Sequence, residues 1–267
     1  MNKNRHIIII ILLSLIARAI VILALNRQLN PGILEYEILA LNMLKNGTFS
    51  MQFREYGEFK GVIAPGYSLL IYCIYAIFGI HREILLLLQV ASMTLFALII
   101  YWIAEKCLKN RNMALVAAIL TILHPGLLYY NILYIHNYNI YLPLFYATIL
   151  LFIMALRNNT GMPLLWAGVT AGLATLTRAT FSPIFVVCLA FYLIFKRNAA
   201  VKKKMIYVVS SFLIFAAINT PWTIRNYIQF GKPVYSQNTK WESFWVGNNP
   251  NASGGHFHGD GTLVLST

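Results

Sequence analysis

Residues 207–227 read YVVSSFLIFAAINTPWTIRNY. The first part is a membrane helix by composition, and 205–222 falls within the roughly 17–25 residues that a spanning helix takes. The end is different: Pro221, Trp222, Arg225 and Tyr227 follow one another closely. Tryptophan, tyrosine and arginine collect at membrane surfaces, so one reading is an interfacial anchor. The other is an arginine placed for an anion, because a guanidinium meets phosphate oxygens in pairs.

The whole chain answers to the same description. Of 267 residues, 59% are hydrophobic and 11% charged, where a soluble domain has about 25% charged. This is the composition of an integral membrane protein. The net charge of +13, from 21 Lys+Arg against 8 Asp+Glu, points to basic cytoplasmic loops and anionic lipid rather than nucleic acid. Three cysteines, Cys73, Cys107 and Cys188, form no spaced framework, so no disulfide is expected. The basic N-terminus leads into an apolar run too long for a signal peptide, which reads as a retained first helix.

Apolar runs cover 7–25, 65–79, 84–104, 113–131, 138–156, 161–177, 179–195 and 205–222. Backbone polar groups find no water in lipid, so these segments must be helical. The expectation is an all-α polytopic fold of seven to eight apolar helices. Gly168 and Gly172, four apart, predict a close helix contact. The basic loops 105–112 and 196–204, with Lys3 and Arg5, should be cytoplasmic. That puts 26–64, 131–138, Arg178 and 220–267 on the outer side. Counting from both ends leaves one run too many between 64 and 131, so 65–79, 84–104 or 113–131 does not span. The run 65–79 is short, and 113–131 is broken at His124-Pro125-Gly126.

Six of the eight acids fall in the outer segments: Glu35, Glu37, Glu55, Glu58, Glu242 and Asp260. Ion-coupled transporters place carboxylates at mid-depth. Only Arg18 sits well inside a run, where it is expected to pair with an outer glutamate or to snorkel outward. Chemistry at the outer face is therefore favoured over translocation. In the first outer loop, 30–47 reads as an interfacial helix capped by Asn30-Pro31 and stopped by Gly47. At roughly 100° per residue, Glu35 shares a face with Asn42 and Asn46, and Glu37 points the other way with Leu44.

The order of motifs resembles a known family. An acid before YxxxA in the first outer loop is followed by PGY (65–67), HPGLLYY (124–130), AGLATLTRATFSP (171–183), TPWTIRNYIQFGKPV (220–234) and FWVGNNPNASGG (244–255). Together these are similar to the GT-C membrane glycosyltransferases of the glycosyltransferase family 39 type. That group includes the dolichyl-phosphate-mannose protein mannosyltransferases and the bacterial aminoarabinose transferases. The resemblance implies that 1–222 is a GT-C transmembrane domain including the outer loop 26–64. Residues 223–267 would be an extracytoplasmic tail. Family members usually continue further, so the chain reads as a fragment or a minimal variant.

The resemblance also implies a reaction. A sugar would pass from a polyprenyl-phosphate carrier to a lipid, glycan or protein acceptor of the cell envelope, at the outer face of a prokaryotic inner membrane. An acid of the first outer loop would act as base or help hold a divalent metal such as Mg or Mn. Basic residues at outer helix ends would hold the lipid phosphate. On this chain the catalytic candidates are Glu35, which is favoured, and Glu37. The phosphate candidates are Arg178, Arg225 and Lys60, and the other substrate contacts are Tyr67 and His136. The family commonly carries an aspartate where this chain has Gly32. His256, His258 and Asp260 alternate as metal ligands on a strand do, although a glycine-rich loop reads the same way. The rival readings are a carrier-binding relative without turnover and a transporter of lipid-linked sugar.

Overall fold

The structure is a computed structural model that describes residues 3–24, 31–32, 34–52, 57–61, 63–157, 160–196, 200–236, 244 and 247–248. The helices are α1 (Lys3–Ala24), α2 (Glu35–Asn46), α3 (Gly66–Phe78), α4 (Arg82–Leu108), α5 (Arg111–Leu123), α6 (Pro125–Leu133), α7 (Tyr138–Arg157), α8 (Met162–Thr177), α9 (Ser182–Phe195) and α10 (Val201–Phe230). A short hairpin, β1 (Met51–Gln52) with β2 (Glu58–Phe59), follows α2. Helices α1, α4, α7 and α10 are each long and apolar enough to cross a membrane. The pair α5 and α6, bent by 49°, makes a fifth such span if taken together.

The break at His124 has a local cause. Pro125 has no amide hydrogen and cannot extend α5. His124 caps the next helix instead, its Nδ1 accepting from the Leu127 amide at 3.3 Å. The core runs along α8, which packs between α7 and α10 and meets α3. Its glycines make this possible: a Cβ on Gly168 would lie 2.4 Å from the Ser211 carbonyl oxygen, and one on Gly172 would lie 3.0 Å from Ile218 Cβ. The Gly-x-x-x-Gly reading therefore holds, between α8 and α10. On the other side, α1 packs on α4, α5 and α6.

The run 65–79 forms α3, which with α8 and α9 is one of the shorter apolar helices. Its first residue, Gly66, is pressed against the backbone of Leu176 and Thr177 at the end of α8, where a Cβ would meet backbone at 2.8 Å. Near its last turn, Tyr75 bonds to Glu37 of α2. These contacts join α3 to the end of α8 and to α2. Thirteen residues give about 20 Å of helix, too short for the hydrocarbon core of about 30 Å.

Three expectations are corrected. Helix α2 begins at Glu35, not at Asn30-Pro31, because Gly32 is held in a parallel bridge with Tyr134: its N–H donates to Leu133 at 2.6 Å and its carbonyl accepts from Ile135 at 3.2 Å. Asn30 itself is outside the described residues. The last span does not stop at 222 but runs through Pro221 to Phe230 and turns at Gly231, whose φ is 65°. Arg18 neither pairs with a glutamate nor snorkels: it is 2% exposed, and its partners are Ser14 and Asn131.

Candidate active site

The α2 face gathers aromatic rings, two arginines and a glutamate pair. The Gly32–Tyr134 bridge lays the start of α2 against the elbow 134–137 between α6 and α7. A Cβ at Gly32 would stand 3.0 Å from the Tyr134 ring, so a larger residue there would need that ring to give by a few tenths of an ångström. The Tyr36 ring then meets Tyr67 edge-on at 5.4 Å and His136 at 5.6 Å. Tyr67 donates its hydroxyl to Gln89 Oε1 at 2.5 Å, and the same oxygen accepts the His136 amide at 3.2 Å.

His136 lies beside Tyr138, with ring centroids 4.3 Å apart. Its Nδ1 accepts from the Tyr138 amide at 3.2 Å, which assigns the neutral proton to Nε2. Burial first, and then the Arg178 charge, lowers its pKa from 6.5 to about 4. The imidazole is therefore neutral at physiological pH, suited to donating a hydrogen bond rather than a charge.

Arg178 caps α8 in an extended conformation. Its guanidinium carbon stands 5.0 Å over the Tyr138 ring and 5.8 Å from that of Tyr141. Such stacking suits a planar, weakly hydrated cation. Among the described residues its guanidinium makes no hydrogen bond or ion pair, so its N–H groups remain available. Asn137 ties the elbow to this end of α8 by donating to the Thr177 carbonyl at 3.1 Å.

The two glutamates are sorted as the helical wheel separated them. Glu35 is half-buried beside this cluster. The neighbouring Tyr36 phenol is pushed up by burial and by the Glu35 carboxylate, against a smaller downward pull from Arg178. Glu37 is fully buried on the other side of α2. Its Oε1 accepts from Tyr75 at 2.6 Å and from Arg82 Nε at 2.8 Å, tying α2 to α3 and α4. That arrangement is suited to holding the helix in place.

Arg225 and Lys60 lie in a neighbouring cluster rather than in this one. Arg225 stacks on Trp222 at 4.7 Å and on Phe49 at 5.6 Å. It also donates to Asn226 Oδ1 at 2.9 Å and to the Phe49 carbonyl at 3.3 Å. The chain returns from Gly231 along α10, and Asn226 Nδ2 donates to Val234 and Ser236 at 3.0 and 3.3 Å. Trp222 Nε1 donates to Ser236 at 3.0 Å. The motif around Arg225 thus also clamps the returning chain. Lys60 is paired with Glu58 at 3.5 Å. A hydrogen bond from Ser50 first, and then Lys60, holds the Glu58 carboxyl below its usual range. Ile63 packs against both clusters.

No three of His, Cys, Asp and Glu come together as a metal site among the described residues. Glu35 and His136 alone are a thin donor set for a divalent ion, which takes several oxygen ligands; no step below is routed through one. His256, His258 and Asp260 lie outside the described residues.

Sequence reasoning missed the polar frame: Gln89, Asn131, Asn139 and Arg82. The signal was present, since amides inside apolar runs are costly unless bonded. It also missed Tyr138 and Tyr141, which are indistinguishable in sequence from interfacial tyrosines.

The bundle of apolar helices and the family match together define a membrane glycosyltransferase of the GT-C type. Residues 63–224 match the family model described as dolichyl-phosphate-mannose-protein mannosyltransferase, and the chain belongs to that family. No curated protein matches the chain.

Proposed function

We propose that the α2-face cluster transfers a sugar from a polyprenyl-phosphate carrier to a hydroxyl of a cell-envelope acceptor on the extracytoplasmic side of a prokaryotic inner membrane. The observation that carries the reading is Arg178. It is a cation at a helix end, stacked on two tyrosines, with its N–H groups unspent among the described residues.

The step needs a base for the acceptor and a positive charge for the leaving phosphate. In this reading the Glu35 carboxylate takes the proton of the acceptor hydroxyl as its oxygen attacks the anomeric carbon. The bond from that carbon to the phosphate oxygen breaks, and polyprenyl phosphate departs with the electron pair. Arg178 meets the charge that develops on the phosphate, and neutral His136 and Tyr36 line the sugar side. Arg225 and Lys60 are assigned to the same phosphate or to its carrier as it approaches. Glu37 holds α2 in place through Arg82 and Tyr75.

The test is transfer of labelled sugar from dolichyl- and undecaprenyl-phosphate donors in membranes containing the full chain. Glu35→Gln is expected to abolish transfer and to leave the melting temperature unchanged. Transfer that survives Glu35→Gln removes Glu35 from the mechanism. A second reading, binding of the carrier without turnover, is favoured by Gly32, which brings no acid to the bridge. It predicts donor binding by the wild type with no transfer at all.

A further inference from the structure

We propose that Arg18, in the first membrane helix, is a positioning residue of this site, acting through the side chains of Asn131 and Asn139 on the carbonyl of His136. The kinetic part of the inference rests on the proposed transfer reaction; the structural part does not.

A charged arginine inside a membrane helix is costly, and pairing with a carboxylate or with backbone carbonyls is the usual compensation. Here every partner is neutral. Arg18 Nε donates to Asn131 Oδ1 at 2.5 Å, and Nη1 donates to the Ser14 hydroxyl at 2.7 Å and the Ser14 carbonyl at 3.0 Å. A cation bonded to an amide oxygen fixes which way that amide points, because a flipped amide would turn its own N–H groups towards the guanidinium.

With its oxygen on Arg18, Asn131 must send its NH₂ the other way, and it donates to Asn139 Oδ1 at 2.9 Å. Asn139 then donates to the His136 carbonyl at 3.0 Å and to the Tyr130 carbonyl at 3.3 Å. The Asn131 carbonyl accepts from Gln89 Nε2 at 3.0 Å. That main-chain carbonyl and the one of Tyr134, at 3.2 Å, orient Gln89 independently of the Asn131 side chain, so that its oxygen takes the Tyr67 hydroxyl and the His136 amide. The carbonyl of His136 is thus held by an amide side chain whose direction starts at Arg18. Its N–H is held by Gln89, which is anchored on the backbone of Asn131 and Tyr134. Asn131, Asn139, Gln89 and Tyr67 are all 1% exposed or less. Links in such a buried network act together. Helix α1 packs on α4, α5 and α6, and this network carries its influence on to the elbow.

The experiment compares wild type, Arg18→Gln and Arg18→Lys as full chains in lipid nanodiscs. It reads amide exchange peptide by peptide, together with transfer of mannose from a polyprenyl phosphate. Arg18→Gln should raise exchange over 130–138 about tenfold while leaving α10 unchanged. It should lower kcat about tenfold with little change in KM for the donor. Arg18→Lys, which still donates to Asn131, should restore part of both. Unchanged exchange over 130–138, or a rise spread evenly along the chain, would overturn the proposal. If Arg18→Gln does not fold, Asn131→Asp takes its place. It keeps an acceptor for Arg18 and removes the donor to Asn139, so unchanged exchange there overturns the proposal equally. If no protein transfers sugar, wild type included, the reaction reading falls, and the exchange result alone decides the role of Arg18.

Discussion

Lys196 and Arg178, cations at opposite ends of the bundle, are used in opposite ways. At the lysine-rich end, basic side chains are spent on backbone. Lys196 donates to the Leu156 carbonyl at 3.0 Å and Lys204 to that of Leu193 at 2.9 Å. Arg157 donates to the Lys106 carbonyl, and Arg111 pairs with Glu105 at 2.9 Å. The three carbonyl contacts close helix C-termini, whose last carbonyls lack intrahelical donors and carry negative partial charge. At the α2 face, Arg178 stands over the rings of Tyr138 and Tyr141 with no hydrogen bond among the described residues. Arg225, over Trp222 and Phe49, also donates to Asn226 and the Phe49 carbonyl. A ring face holds a cation without consuming its N–H groups. A cation given to carbonyls serves the fold, and one resting on tyrosines stays available to a ligand.

Replacing the cations one at a time tests that contrast. The largest effect is expected from Arg178→Ala, which should lower sugar transfer roughly 10²–10³-fold with an unchanged melting temperature. Arg178→Lys should recover little, because an ammonium neither stacks nor bonds in pairs. Wild-type transfer by Arg178→Ala would erase the distinction between the two ends. Lys196→Met should do the reverse. It should destabilise the fold by about 1–2 kcal/mol, the worth of a charged hydrogen bond, without altering transfer per folded molecule. Thermal melting beside a transfer assay separates the two.

A smaller effect is expected from pH. The folded pKa of His136 is near 4, below the value of 6.5 for the unfolded chain. Below 6.5 the unfolded chain binds the proton first. The contribution of His136 to stability is therefore complete above that pH and declines as pH falls towards 4. Melting temperatures of wild type and His136→Gln should converge over that window as pH falls. Least of all is expected in the rate: transfer between pH 5 and 8 should show no inflection that His136→Gln removes.

Much of this was legible in advance where the cause is local. Apolar runs gave the helices, His124-Pro125 gave the break, and Gly47 gave the end of α2 with a φ of 68°. The family followed from motif order. The start of α2 was not legible, because a bridge to Tyr134, a hundred residues away, decides it. Nor was the split between Lys196 and Arg178, since both read as cations at helix ends. What divides them is whether a carbonyl or a tyrosine stands opposite, and distant chain supplies both. The separation of Glu35 from Glu37 came from helical spacing alone. That Glu37 would be the fully buried one depended on Arg82 and Tyr75, which spacing within α2 does not reveal.

The clamp at the end of α10 has a consequence for whatever chain follows it. Trp222 and Asn226 fasten Ser236 beside Phe49 and Arg225. Residues beyond that point start from a fixed post at the rim of the site. A group tethered to that post would meet the Arg225 cluster at an effective concentration set by tether length rather than by abundance in the cell. In such an arrangement a weak contact is enough, because the second encounter is intramolecular.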